Sequence, residues 1–102
     1  MPKAYWLSLY REISDIDKWN AYAKIAIPVV EGMGAVFLAR GIAALAHGEG
    51  IKERTLVIEF PSLEAALSAF NSPGYQASLK VLGDGCKRDL RIVEGSVTVE
   101  PS

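Results

Sequence analysis

The side chains with the greatest chemical reach in this sequence are Arg40, Glu59, His47, Tyr75 and Trp6. Arg40 and Glu59 both fall on expected strands, where a charge is costly unless it is paired or wet. On one face they would form an ion pair beside Trp6 and Tyr10. An arginine held this way binds a carboxylate or enolate in bidentate fashion, and a glutamate in an apolar pocket is tuned toward a general base. The plainer alternative is a structural pair at a strand end or a dimer seam, since such pairs perturb charges just as functional ones do. His47 is the only imidazole, and so the only side chain that titrates near neutrality without perturbation. Its Gly-flanked hairpin tip suits a pocket lid and equally an inert exposed residue. Tyr75 follows Ser72-Pro73-Gly74 and is expected to pack its ring on the core with its hydroxyl toward a cavity or water. Trp6 and Trp19 are most simply core residues, with Trp6 also a surface on which a ligand could stack. The catalytic candidates are therefore Glu59 and His47, and the ligand-binding candidates Trp6, Arg40, Glu59 and Tyr75.

Other features carry less. Cys86 lies beside Lys87 and Arg88, which would favour its thiolate, but no histidine neighbours it in sequence. One His and one Cys cannot build a structural zinc site, so neither metal nor cofactor is expected. Gly48-Glu49-Gly50 lacks the later Gly-Lys-Ser/Thr of a phosphate loop. Lys87, Arg88 and Arg91 are balanced by Asp84 and Asp89 and are read as a solvated face.

The elements that must position these residues follow from periodicity. Ala4 to Tyr10 alternates as a strand, with Tyr5, Leu7 and Leu9 on one face and Trp6, Ser8 and Tyr10 on the other. Ser14 is the expected N-cap of a helix whose apolar stripe is Ile16, Trp19, Ala23, Ile27 and Val30. Pro28 should kink or break it around Ile25 to Ile27. Ala35 to Arg40 reads as a second strand, and Ile42 to Lys52 as an extended, bulged segment leading into a turn at His47-Gly48-Glu49-Gly50. Arg54 to Phe60 is the clearest strand, with Leu56, Ile58 and Phe60 on one face and Thr55, Val57 and Glu59 on the other. Ser62 caps a helix with the stripe Leu63, Ala66, Leu67 and Phe70. Ser72 and Pro73 start a second piece that carries Tyr75, Leu79 and Leu82 inward, ending at Gly83-Asp84-Gly85. A last strand runs from about Asp89 to Glu94, with a continuation past Gly95 to Val99 left open.

This order gives an α+β fold: a ferredoxin-like βαββαβ sandwich, an antiparallel four-stranded sheet with its helices on one face. The other face, read as carrying Trp6, Ser8, Tyr10, Thr55, Val57 and Glu59 with Val93 alongside, is too aromatic to meet solvent alone. A second copy covering it, in a face-to-face homodimer, is the economical solution. The length, 102 residues, fits a single domain spanning the whole chain. Eleven Lys/Arg against twelve Asp/Glu, with no basic stripe, argue against a nucleic-acid partner. No apolar run approaches the roughly 18 residues that would span a bilayer, so no membrane partner is expected. A lone cysteine and the lack of an export-like leader suggest a cytoplasmic setting.

Tyr5-Trp6, Phe37-Leu38-Ala39-Arg40-Gly41, Val57-Ile58-Glu59-Phe60-Pro61-Ser62, Ser72-Pro73-Gly74-Tyr75-Gln76 and Val93-Glu94-Gly95 together resemble the DUF1330 family, in the right order and over nearly the whole chain. The resemblance implies a dimeric α/β barrel, of the superfamily that also holds small cofactor-free monooxygenases and isomerases, and it implies no established activity. The chain departs from the family's pattern between Ile42 and Lys52, where it is Ala-rich and carries His47 and Ile51. Three functions then compete. The first is a homodimer binding a small organic molecule, an anion among the options, in a cleft between sheet and helices through Trp6, Arg40, Glu59 and Tyr75, with His47 at the rim. The second is a cofactor-independent enzyme, monooxygenase- or isomerase-like, on an acidic or enolisable substrate, in which Arg40 holds the anion and Glu59 or His47 moves a proton. The third is a structural or interaction dimer without a pocket. A cavity of roughly 300 Å³ or more touching Arg40 and Glu59 would support the first two.

Overall fold

The computed structural model describes residues 2–96. Its first strand, β1 (Ala4–Ile13), alternates strictly between buried and half-buried residues from Ala4 to Tyr10. Helix α1 (Ile16–Gly32) follows, then β2 (Val36–Ile42), β3 (Arg54–Phe60), α2 (Leu63–Asn71), α3 (Pro73–Leu82) and β4 (Cys86–Glu94). The sheet order is β2-β3-β1-β4, and every neighbouring pair is antiparallel. This is the ferredoxin-like α+β arrangement expected from the order of elements, with the helices packed on one face. The suggested extension of the last strand to Val99 lies outside the described residues.

Cross-strand partners share a face, and the register therefore decides which row of each strand meets the helices. Trp6 lies opposite Ile58 and Ile92, whereas Tyr5 lies opposite Glu59 and Val93. Ala4, Trp6, Ser8 and Tyr10 are buried beneath the helices together with Leu56, Ile58 and Phe60. This corrects the expected open face: its β1 row is Tyr5, Leu7 and Leu9, alongside Thr55, Val57 and Glu59. A shift of one residue exchanges every side chain of a strand between faces, and both rows of β1 are apolar enough to be mistaken for each other.

Asp15, not Ser14, caps α1, its carboxylate accepting from Lys18 N at 3.0 Å. The backbone N–H groups of Ser14 and Asp15 both donate to Gly85 O, at 2.9 and 3.0 Å, which ties the strand–helix junction to the turn before β4 and leaves Asp15 at the helix mouth. The helix also runs unbroken through Pro28 to Gly32. A proline in a helix interior costs about 3 kcal/mol, and burial of Tyr22, Ala26 and Val30 in the core offsets it. Val30 is on the expected stripe and Trp19 and Ala23 pack partly buried against the core, whereas Tyr22 and Ala26 are buried beyond that expectation and Ile16 is exposed.

Helices α2 and α3 meet at Ser72. Its hydroxyl donates to Ala69 O at 2.7 Å and accepts from Tyr75 N at 3.3 Å, closing one helix and opening the next. Pro73 stands at the start of α3, where its missing N–H is no loss. Ser62 likewise caps α2, accepting from Ala65 N at 3.0 Å. These caps aim Tyr75 inward, where it is fully buried against Trp6, their ring centroids 5.0 Å apart. Trp6 also packs on Phe60 at 5.1 Å and on Phe70 at 6.2 Å, an aromatic cluster that joins sheet to helices. Between β2 and β3, the Ala43 N–H bonds to Glu53 O, and a turn closed by Gly50 N to His47 O lies at the far end of the loop.

Candidate functional site

A cavity of about 300 Å³ lies between the helix-covered face of the sheet and α1, with β1 supplying Trp6, Ser8 and Tyr10. Helix α1 contributes Trp19 and Tyr22, α3 contributes Tyr75, and one arginine comes from each remaining strand: Arg40, Arg54 and Arg88. The lining thus holds three guanidinium groups and no carboxylate.

Arg88 anchors the polar end of the cavity. It lies opposite Tyr10 on β4 and so faces the helices. Its Nη1 donates to the Tyr22 hydroxyl at 2.9 Å and to Ser8 Oγ at 3.4 Å, and its Nη2 donates to the Tyr75 hydroxyl at 3.2 Å. The two phenolic oxygens are themselves 2.8 Å apart and hydrogen-bonded. The guanidinium also stands over the rings of Tyr10 and Tyr22, at 5.6 and 5.4 Å from their centroids. Among the described residues Arg88 has no carboxylate partner, because the acids near it in sequence are engaged elsewhere: Asp89 with Arg91 at 3.0 Å, and Asp84 with Lys18 at 2.9 Å.

Electrostatics follow from this geometry. Burial pushes the Tyr22 hydroxyl well above the ordinary phenol range, against the opposing pull of Arg88. Tyr10 is raised in the same way, first by burial and then by Tyr22. Burial works against the charge of Arg88, but the three tyrosine oxygens more than compensate and its proton is held more tightly than usual. Burial also raises the Cys86 thiol, only partly opposed by Arg88, which leaves little thiolate near neutrality.

Of the residues singled out from the sequence, Trp6, Arg40 and Tyr75 come together on this cavity. Arg40 sits on an exposed part of its wall, its guanidinium 4.8 Å from the Phe37 ring centroid. Glu59 does not join them. It points from the opposite face of the sheet and pairs with Lys3 at 3.2 Å, so the expected Arg40–Glu59 ion pair does not form. Arg40 pairs in register with Leu56, whereas Glu59 pairs with Val36, and strand alternation sends the two charges to opposite sides. His47 is exposed and lines a separate recess of about 330 Å³ floored by Leu9, Thr55 and Asp89, on the open side of the sheet, not the rim of the first cavity.

Sequence reasoning missed Arg88, Tyr22, Tyr10 and Arg54. Arg88 does not lie on a solvated basic face with Lys87 and Arg91, but is half-buried and turned inward onto Tyr22 and Tyr75. The signal lay in strand parity: Cys86, Arg88, Leu90 and Ile92 form one row, and an arginine in an otherwise apolar row needs a reason. Trp19, read as core, also lines the cavity, beneath the Arg54 guanidinium at 5.0 Å.

A family model described as a domain of unknown function, DUF1330, matches residues 3–96. The chain belongs to the DUF1330 family. No curated protein matches this DUF1330 chain in sequence. Its fold is shared with a protein of unknown function from Rhodopseudomonas palustris, with a TM-score of 0.75 at 16% identity over 94% of this chain and 84% of that one. It is also similar to SnoaB, a cofactor-independent oxygenase from Streptomyces nogalater, with a TM-score of 0.63 at 9% identity over 100% of both chains. A third similar structure is a putative antibiotic biosynthesis monooxygenase from Bacteroides thetaiotaomicron, with a TM-score of 0.58 at 20% identity over 96% of this chain and 91% of that one. At these identities the likeness establishes the fold. Among the described residues, no helix of this DUF1330 protein is long and apolar enough to cross a membrane.

Proposed function

We propose that this DUF1330 protein binds a small organic anion in the cavity between sheet and α1, and does so as a homodimer whose open sheet faces meet. The observation that carries the first half is Arg88: a charge held at the end of an aromatic-walled cavity by two phenols and no carboxylate. An arginine taken partly out of water is ordinarily paired, and Arg88, with neutral partners only among the described residues, keeps its charge open to an anion. Arg40 and Arg54, on the same lining, add to the positive potential that draws an anion in. The ligand site so proposed uses Trp6, Arg40 and Tyr75 with Arg88 and Tyr22, and leaves Glu59 and His47 outside it.

A thermal-shift panel tests this. Small aromatic acids at a hundred times their dissociation constant stabilise the native state by about 2.7 kcal/mol, read as a rise in Tm. Their uncharged amides give little rise, and Arg88→Gln abolishes the difference. Equal stabilisation by acids and amides would count against anion binding.

A second reading, a cofactor-free oxygenase on an enolisable substrate, has one observation in its favour. The same arginine and phenols would stabilise an enolate, and the similar fold from Streptomyces nogalater is named as a cofactor-independent oxygenase. With Glu59 and His47 away from the cavity, the ionisable side chains on its lining are tyrosines and arginines, poor bases near neutrality. The ligand would have to arrive already acidic. A cavity of this size also weighs against a purely structural dimer.

A further inference from the structure

Twelve aspartates and glutamates outnumber the eleven lysines and arginines of this chain, so a local surplus of positive charge is a matter of placement. Three arginines, Arg40, Arg54 and Arg88, line the cavity, and no aspartate or glutamate does. Among the described residues none of the three makes a salt bridge; the ion pairs there belong to Lys3, Lys18, Lys87 and Arg91. Every lining residue contributed by α1 is uncharged, so the helix opposite the sheet does not neutralise them.

The register sets these charges on two sides. Leu9 pairs with Thr55, which brings Arg54 up beside Tyr10 on the β3 side, and Tyr10 pairs with Arg88 on the β4 side. β1 therefore runs between Arg54 and Arg88, and two strand spacings hold their Cα atoms about 10 Å apart. Arg40 pairs with Leu56, two residues from Arg54, and is the diagonal neighbour of Arg54 at about 7–8 Å. Like charges so close repel unless an anion lies between them. Their guanidinium groups stand over aromatic rings, Phe37 for Arg40 and Trp19 for Arg54. The cavity is thus basic at both ends, with an aromatic wall and about 300 Å³ of space.

Arg88 retains what a carboxylate needs. A guanidinium has five N–H donors. Both hydrogens of Nη1 serve Tyr22 and Ser8, and one of Nη2 serves Tyr75. The Nε–H and the second Nη2 hydrogen are left, a parallel pair of the kind that grips a carboxylate through two bonds.

We propose that the cavity takes a flat dianion, an aromatic or conjugated dicarboxylate, with one carboxylate on Arg88 and the other at Arg40 and Arg54. This rests on the anion-binding reading and narrows it to a ligand class. A monoanion would answer the charge at one end and leave the other unmet.

The probes are terephthalate and its monomethyl ester, which share a ring and differ by one charge. Titrated calorimetrically in dilute buffer near neutral pH, terephthalate should bind about tenfold or more tightly than the ester, the usual gain from one further charge-assisted contact. Phthalate, with both carboxylates on adjacent ring carbons, should fall well short of terephthalate. Replacing the outer arginines together, Arg40→Gln with Arg54→Gln, should erase the difference between terephthalate and ester while circular dichroism shows an unchanged fold. Equal affinities for terephthalate and ester in the wild-type protein, with the uncharged dimethyl ester weaker than both, would overturn this inference and leave the anion-binding reading intact. A preference for phthalate, or a terephthalate advantage that survives the double substitution, would overturn it in the same way. Failure of all three acids to bind would overturn both readings.

Discussion

At the scale of single residues, Tyr22 and Arg88 define the site because burial holds Tyr22 neutral while the surrounding tyrosine oxygens hold Arg88 charged. Tyr22 gives a pH signature whose sign is fixed. Its folded pKa lies above that of the unfolded chain, so above about pH 10 the unfolded state loses this proton first. The stability contributed by neutral Tyr22 is therefore complete below that pH and is lost progressively above it. Tm should fall steeply on the alkaline side, and Tyr22→Phe should flatten the fall, as followed by thermal melts across the alkaline range. An unchanged alkaline slope would mean that Tyr22 is not buried as described. Residue chemistry was only half legible in the sequence. Tyr75 and Trp6 could be expected in a cavity because aromatics on a sheet and at a helix start must pack somewhere. Arg88 was hidden because it sits between Lys87 and Asp89, and only its place in the alternation separates an inward arginine from its solvated neighbours.

At the scale of elements, the cavity depends on α1 and α3 lying close enough for their tyrosines to touch. Gly74 permits that approach: a Cβ there would come within 2.8 Å of Val29 Cγ2 on α1. Gly74→Ala should push the helices apart and destabilise the protein by about 1–3 kcal/mol, the usual cost of overpacking. Val29→Ala in the same chain should recover part of the loss, as measured by urea unfolding. Additive losses in the double variant would contradict the close contact. The elements themselves were largely readable where local chemistry is strong. β3 ends at Pro61, and Ser62 and Ser72 begin helices by accepting from the third residue on. What local rules could not supply was the face of β1 or the continuity of α1 through Pro28. Both are decided by tertiary packing: the first by register against β3 and β4, the second by burial of Tyr22, Ala26 and Val30.

At the scale of the whole molecule, the open sheet face remains apolar in the isolated chain. Tyr5, Leu7 and Leu9 are only half-buried, and Val36 and Val93 on the same face are about half exposed. A second copy would cover this layer, and self-association is the proposed remedy for its exposure. Light scattering should return twice the chain mass of 11.0 kDa. Leu7→Lys, placed opposite Val57 and Arg91, should return the single mass without unfolding the chain. A wild-type protein that stays at the single mass at high concentration would contradict the dimer and leave the ligand site untouched, since the two lie on opposite faces of the sheet.

The central claim is that Arg88, with Tyr22 and Tyr75, receives an anion from within the fold. A crystal structure with 4-nitrobenzoate bound tests it most directly. The account predicts a carboxylate oxygen within hydrogen-bond distance of the Tyr22–Tyr75–Arg88 group and the ring against Trp6. A probe seated in the same cavity with its oxygen turned away from Arg88, or bound only on the open sheet face, would contradict it.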